Sequence, residues 1–222
     1  MDAKFWHKRW ATNDIAWHER SGNTLLVEHF KALSLKLSGR VFVPLCGKTR
    51  DIAWLLGQGY KVVAIELSEM AIEALFQQLG MKAEVSQAGS LTRYSASNLE
   101  VFVGDFFSLS SEVIGSVDAV FDRAALVALP MEMRLKYTQH LAKITVNSEQ
   151  LLIVFEYQQN LMDGPPFSIS IDEINLHYKK YYSASQLSSV DVSGRLRGDF
   201  AAQENAYLLR PITASALSYS AK

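Results

Sequence analysis

A single cysteine, Cys46, among 222 residues leaves no partner for an intramolecular disulfide and too few thiolates for a cysteine-built zinc site. The five histidines, His7, His18, His29, His140 and His177, are scattered rather than set at metal-ligand spacing, so no metal is expected. The chain also lacks a surplus of either charge. Its formal net charge of -1, with acids and bases interspersed, gives no footprint for a nucleic-acid backbone or an anionic membrane surface, and a small-molecule partner is expected instead. No apolar run is long enough for a membrane-spanning helix or a signal peptide, the first residues being Met1-Asp2-Ala3-Lys4-Phe5-Trp6-His7. A cytoplasmic, monomeric protein is the expectation.

About half of the residues are apolar, enough to build one continuous core. One domain over 1–211 is expected, with an aromatic arm (1–22) and a flexible tail (212–222). Leu26, Phe30, Leu33 and Leu37 recur at helical spacing behind the caps Asn23 and Thr24. Then the period changes. Val41–Leu45 is a short apolar run, followed by a turn and a helix carrying Ile52, Leu55 and Leu56. Val62–Leu67 is a buried-strand run, after which Ser68 caps a helix with Ile72, Leu75, Phe76 and Leu79 inward, and Gly80 ends it. Strands follow at 99–103, 117–121 and 151–155, with a helix opened by Pro130 that places Met131, Leu135, Leu141 and Ile144 inward. Residues near Asp172 to Lys180 read as a helix. Two closely spaced strands, 189–192 and 205–209, read as an antiparallel hairpin at the sheet edge. The result is an α/β fold: a doubly wound, mostly parallel, seven-stranded sheet of Rossmann type with an antiparallel C-terminal hairpin.

Ligands of such sheets sit beyond the carboxyl ends of the strands. Those ends carry Leu45-Cys46-Gly47, Glu66, Asp105, Asp122-Arg123 and Glu156. Glu66 follows the first loop at about the 20-residue spacing of a ribose-binding acid, because a crossover helix and its return strand consume that much chain. Asp105 suits an adenine amine, or else caps a turn. The loop Pro44-Leu45-Cys46-Gly47-Lys48 has one glycine, not the three that bring a backbone against pyrophosphate, so a nicotinamide or flavin cofactor is disfavoured. It is not a P-loop, and no G-x-S-x-G elbow exists. Cys46 reads as a small apolar filler. The Asp163-Gly164-Pro165-Pro166 segment superficially resembles the Asp-Pro-Pro loop of nucleic-acid amino-methyltransferases, but it follows the fifth strand rather than the fourth and is discounted.

Three motifs in order carry a more specific resemblance. Trp6-x-x-x-Trp10 lies in the arm, Val43-Pro44-Leu45-Cys46-Gly47-Lys48 follows the first strand, and Phe121-Asp122-Arg123-Ala124-Ala125-Leu126-Val127-Ala128-Leu129-Pro130 follows the fourth, with Glu66-Leu67-Ser68 between. Together they resemble the bacterial thiopurine S-methyltransferases, from the first residues to about Arg210. The resemblance implies a class I methyltransferase fold in which Trp10, Leu45, Glu66 and Arg123 contact S-adenosylmethionine, beside Gly47 and Asp105 from the strand-end reading. It also implies an arm over the site and methyl transfer to the sulfur of an aromatic or heterocyclic thiol, leaving S-adenosylhomocysteine. Trp17 and a second arginine, Arg195 or Arg197, are candidates for the acceptor. A sulfonium beside an indole face gains about 0.5–2 kcal/mol.

No general base is required, since an aryl thiol with a pKa near or below about 8.5 is appreciably ionised at neutral pH. Positioning for in-line displacement carries the rate, and Arg123 is a candidate for holding an anionic acceptor or the donor's carboxylate. Two alternatives stay open: another small acceptor, through selenium, tellurium, oxygen or nitrogen, and a catalytically idle protein that binds the same donor.

Overall fold

A computed structural model describes residues 3–15 and 21–212. The helix α1 (Ala3–Ala11) precedes α2 (Thr24–His29), whose first turn is capped by Asn23: its side chain accepts from the N–H groups of Leu25 and Leu26. Two βα units follow, β1 (Arg40–Val43) with α3 (Asp51–Gly57) and β2 (Lys61–Glu66) with α4 (Glu69–Leu79). Ser68 accepts from Ala71 N at the start of α4, and Gly80 ends it at φ +65. Then come β3 (Glu84–Ala88), β4 (Leu91–Ala96), β5 (Leu99–Val103), α5 (Ser111–Ile114) and β6 (Ala119–Arg123). The chain continues with α6 (Met131–Ile144), β7 (Glu149–Tyr157), α7 (Ile171–Tyr178), β8 (Tyr182–Asp191) and β9 (Ala202–Pro211).

All strands join one sheet in the order β3-β4-β5-β2-β1-β6-β7-β9-β8. The run β5-β2-β1-β6-β7 is parallel, and β9 adds antiparallel to β7 along Gln150–Tyr157. Strand order reverses between β1 and β6, where neighbouring crossovers leave in opposite directions and open a crevice. Strand alternation divides the core. Phe42, Val63, Phe102 and Val120 pack on the face that carries α6 and α7, whereas Val41, Val62, Val101 and Phe121 pack on the face of α2, α3 and α4. No helix among the described residues is long and apolar enough to cross a membrane.

Among the described residues the sheet has nine strands, not seven. The additional pair is the β3–β4 hairpin, turned on Gly89-Ser90 with Gly89 at φ +64. Its outer strand has one large apolar residue, Val85, and that side chain is exposed, so no alternation marks the strand. The helix expected to reach Leu37 stops at His29 and a 3-10 turn at Phe30–Ala32. Leu33 turns extended, Ser34 N donates to the Glu149 side chain, and Leu37 is left 82% exposed. Met131 and Leu135 of α6 point outward; its buried side is set by Tyr137, Thr138, Leu141 and Ile144, with Arg134 anchored to Leu129 O. The terminal strands are each ten residues long, well beyond the expected 189–192 and 205–209, because β9 pairs along both β7 and β8. Trp17, most of the expected tail and the arm's residues 16–20 lie outside the described residues.

Candidate active site

A cavity of about 720 Å³ opens at the carboxyl ends of β1, β2, β5 and β6. Its walls bring together Trp10, Leu45, Gly47, Glu66, Asp105, Arg123, Arg195 and Arg197, every described residue that the sequence nominated for the site. Glu156 is not in the wall; its carboxylate accepts from the Asn205 side chain.

Glu66 ends β2 and is 7% exposed. Its Oε2 accepts from Gly47 N at 2.8 Å, and its Oε1 accepts from Leu67 N at 2.8 Å and Ser68 N at 2.9 Å. One carboxylate therefore ties the first loop to the start of α4. Burial pushes the Glu66 carboxyl above its ordinary value, and the three N–H groups oppose that rise. Oε1 is saturated by its two donors, and Oε2 retains a lone pair for a ligand hydroxyl.

Leu45 and Gly47 both take positive φ, +46 and +53, which curls the loop under α1. A Cβ on Gly47 would stand 3.1 Å from Trp10 Cζ2, so the indole rests on bare backbone. Gly47→Ala is expected to cost about 1–2 kcal/mol in urea unfolding, from the left-handed backbone and the displaced ring, and to weaken donor binding as well. Cys46 is buried beside them; burial and then the Glu66 charge push its thiol well up, which keeps it protonated and unreactive. Asp105 lines the cavity and caps the turn at Phe106–Ser108 through Phe107 N.

Asp122 and Arg123 point to opposite faces of β6, so they do not form the neighbouring salt bridge that their adjacency allows. Asp122 accepts from Tyr137 Oη at 2.7 Å and from Leu126 N at 3.2 Å, fixing the bend at Ala124, which has φ +61. Burial pushes the Asp122 carboxyl up to about 6, against those hydrogen bonds. The folded protein then binds the extra proton between about pH 4 and pH 6, so stability falls as pH rises through that window, by about 3 kcal/mol in total. Urea unfolding of wild type and Asp122→Asn across that range is expected to show this step in the wild type and its loss in the variant.

The far wall is apolar: Val127, Ala128, Leu129, Phe155, Pro165 and Pro166. Phe167 N donates to Val127 O at 2.7 Å, Tyr157 Oη donates to Pro166 O at 2.6 Å, and the Arg134 guanidinium lies over the Phe167 ring while donating to Glu173. The segment discounted as a misleading motif is thus part of the cavity wall. Its position after β7 was the available signal, since β7 is also a strand whose carboxyl end faces the crevice. At the mouth, Asp14 Oδ1 accepts from Arg9 and from Arg197, both at 3.1 Å, joining the arm to the β8–β9 connection. Glu204, also in the wall, was not foreseen because it lies inside a strand expected to begin at 205.

Parallel order reversing at β1 and β6, an antiparallel β9 and a cavity over the reversal define the class I S-adenosylmethionine-dependent methyltransferase fold. Magnesium protoporphyrin IX methyltransferase from Synechocystis, with bound S-adenosylhomocysteine, superposes with a TM-score of 0.64 at 14% identity, covering 94% of this chain and 100% of that one. The 1,6-didemethyltoxoflavin-N1-methyltransferase of Burkholderia thailandensis gives 0.62 at 16% identity, over 94% and 87%. The chain belongs to the thiopurine S-methyltransferase (TPMT) family, whose model matches residues 1–210. Thiopurine S-methyltransferase of Xanthobacter autotrophicus is 49% identical over 210 residues, 94% of this chain and 99% of the relative; that of Acinetobacter baylyi is 47% identical over 199 residues, 87% and 92%. The chain is accordingly an S-adenosylmethionine-dependent methyltransferase.

Proposed function

We propose that this enzyme methylates the sulfur of small aromatic or heterocyclic thiols, thiopurines among them. The observation that carries the reading is the Glu66 carboxylate, locked by three backbone N–H groups beside the bare Gly47 backbone under Trp10. That cradle fits an adenosyl sulfonium: an acid for ribose hydroxyls, close backbone approach and an indole for the cation. Bound there, S-adenosylmethionine supplies an electrophilic methyl group, and this chain's residues do the positioning. In this reading Leu45 and Gly47 meet the amino acid half, Asp105 the adenine and Arg123 the carboxylate or an anionic acceptor. The apolar wall from Val127 to Pro166 takes the acceptor ring and excludes water, and Arg195 or Arg197 favours its thiolate over the thiol. Trp17 is proposed for the acceptor as well.

In the same reading residues 1–211 act as one methyltransferase unit, a cytoplasmic monomer whose arm (1–22) covers the cavity. The near-zero net charge supports a small-molecule acceptor over nucleic acid or membrane. Incubation with labelled S-adenosylmethionine and a panel of thiopurine, thiophenol, phenol, amine and selenite acceptors tests it. Label is expected in the thiols; label confined to phenol, amine or selenite moves the assignment to another acceptor, and none anywhere removes it.

A further inference from the structure

Glu204 is a buried carboxylate that faces the cavity with only a neutral partner. The residue is 8% exposed, lines the cavity from β9, and accepts a single side-chain hydrogen bond, from Asn23 Nδ2 to Oε1 at 3.0 Å. Among the described residues its Oε2 has no protein partner and no cation pairs with it. A charge withdrawn from water without a counter-ion is costly, so a carboxylate kept at a cavity wall calls for a cation or N–H donor from the ligand.

The surroundings say which part of the ligand. Asn23 N donates to Asp51 Oδ1 at 2.6 Å, and Thr49 Oγ1 donates to Asp51 Oδ2 at 2.8 Å. Thr49 is the last cavity residue of the first loop, so this chain of bonds fixes Glu204 to that loop's far end, away from Glu66, which holds the loop at Gly47. The loop itself, Pro44 to Thr49, contains no acid and one cation, Lys48. It offers an ammonium group neutral carbonyls but no counter-charge. Of the other acids in the wall, Glu66 already receives three N–H groups, and Asp105 receives Phe107 N on the opposite side of β2. Asp105, like Glu204, keeps one oxygen without a protein donor among the described residues, but only Glu204 is tied to the Thr49 end of the loop.

We propose that Glu204 is the counter-charge for the α-ammonium group of the donor's methionine half. The assignment rests on the donor reading above. It makes the enzyme selective for a donor with an intact amino group, and it places one ligand contact on the antiparallel strand β9 rather than on the parallel centre of the sheet.

Calorimetric titration of wild type and Glu204→Gln with S-adenosylhomocysteine and with its desamino analogue tests this. Glutamine keeps a carbonyl oxygen for Asn23 and replaces the second, charged oxygen by an amide donor. Wild type is expected to prefer the amino form by about tenfold or more, and the variant to bind the two alike. 5′-Methylthioadenosine, which lacks the whole amino acid end, is expected to bind both proteins equally. A variant that retains the wild-type preference overturns the assignment, as does an equal loss for 5′-methylthioadenosine, which would mark Glu204 as a shaper of the cavity. If Glu204→Gln does not fold, Glu204→Asp carries the same test, with a reduced preference expected and an unchanged one overturning it. Wild type that binds both forms equally removes the ammonium contact alone, whereas wild type that binds none of the three removes the donor site.

Discussion

Glu66→Gln is expected to weaken binding of S-adenosylmethionine and S-adenosylhomocysteine by about 100-fold or more. Glutamine has one acceptor oxygen. If that oxygen keeps the N–H groups of Leu67 and Ser68, the new amide turns a donor toward Gly47 N, which now gives to Oε2 at 2.8 Å. The loop under Trp10 then loses its tie to β2 while the ribose hydroxyls lose a charged acceptor. Two charge-assisted hydrogen bonds at about 1.5–3 kcal/mol each account for the magnitude. Glu66→Asp, which keeps the charge and withdraws it by one methylene, is expected to fall between. Filter binding with labelled donor reads both variants, and an affinity for Glu66→Gln within twofold of wild type would contradict the ribose role.

Arg123→Ala is expected to lower kcat/KM by about two to three orders of magnitude. The side chain leaves the end of β6 on the face away from Asp122, directly before the bend at Ala124, and it reaches the cavity between the first loop and the apolar wall. A guanidinium in a water-poor site holds a carboxylate or thiolate far better than it does in solvent. Donor affinity and turnover separate its two possible partners: a loss confined to binding of S-adenosylhomocysteine places it on the donor's carboxylate, and a loss confined to turnover with a saturating donor places it on the acceptor. Arg123→Lys restores charge but not the planar fork and is expected to recover only part of the loss. If Arg123→Ala matched wild type in both readings, the residue would have no part in the site.

The parallel centre of the sheet was legible because its strands are buried on both faces and read as unbroken apolar runs, Val62 to Ile65 being the clearest. Their ends follow directly, and with them Glu66, Gly47 and Arg123, since a parallel sheet presents every such end to one crevice. The β3–β4 hairpin was not legible through apolar pattern: it lies outside β5 with Glu84, Val85, Ser86 and Gln87 all exposed. Its Gly89-Ser90 turn was the signal that remained. Glu204 and the Pro165-Pro166 wall went unseen for a different reason. They enter the cavity from the antiparallel strand β9 and from a loop beyond β7, through hydrogen bonds of Asn23, Tyr157 and Phe167 that no apolar period records. The outward Met131 and Leu135 show the same limit, since buried hydrogen bonds from Tyr137 and Arg134, rather than apolar spacing, set the register of α6.

The crevice between β1 and β6 is proposed to hold an adenosyl donor. Calorimetry on the unmodified protein with S-adenosylhomocysteine addresses it most directly: one ligand per chain is expected, with a negative heat-capacity change as the apolar cavity and indole close on it. The absence of any heat at several temperatures, together with an unaltered melting temperature at saturating ligand, would contradict it.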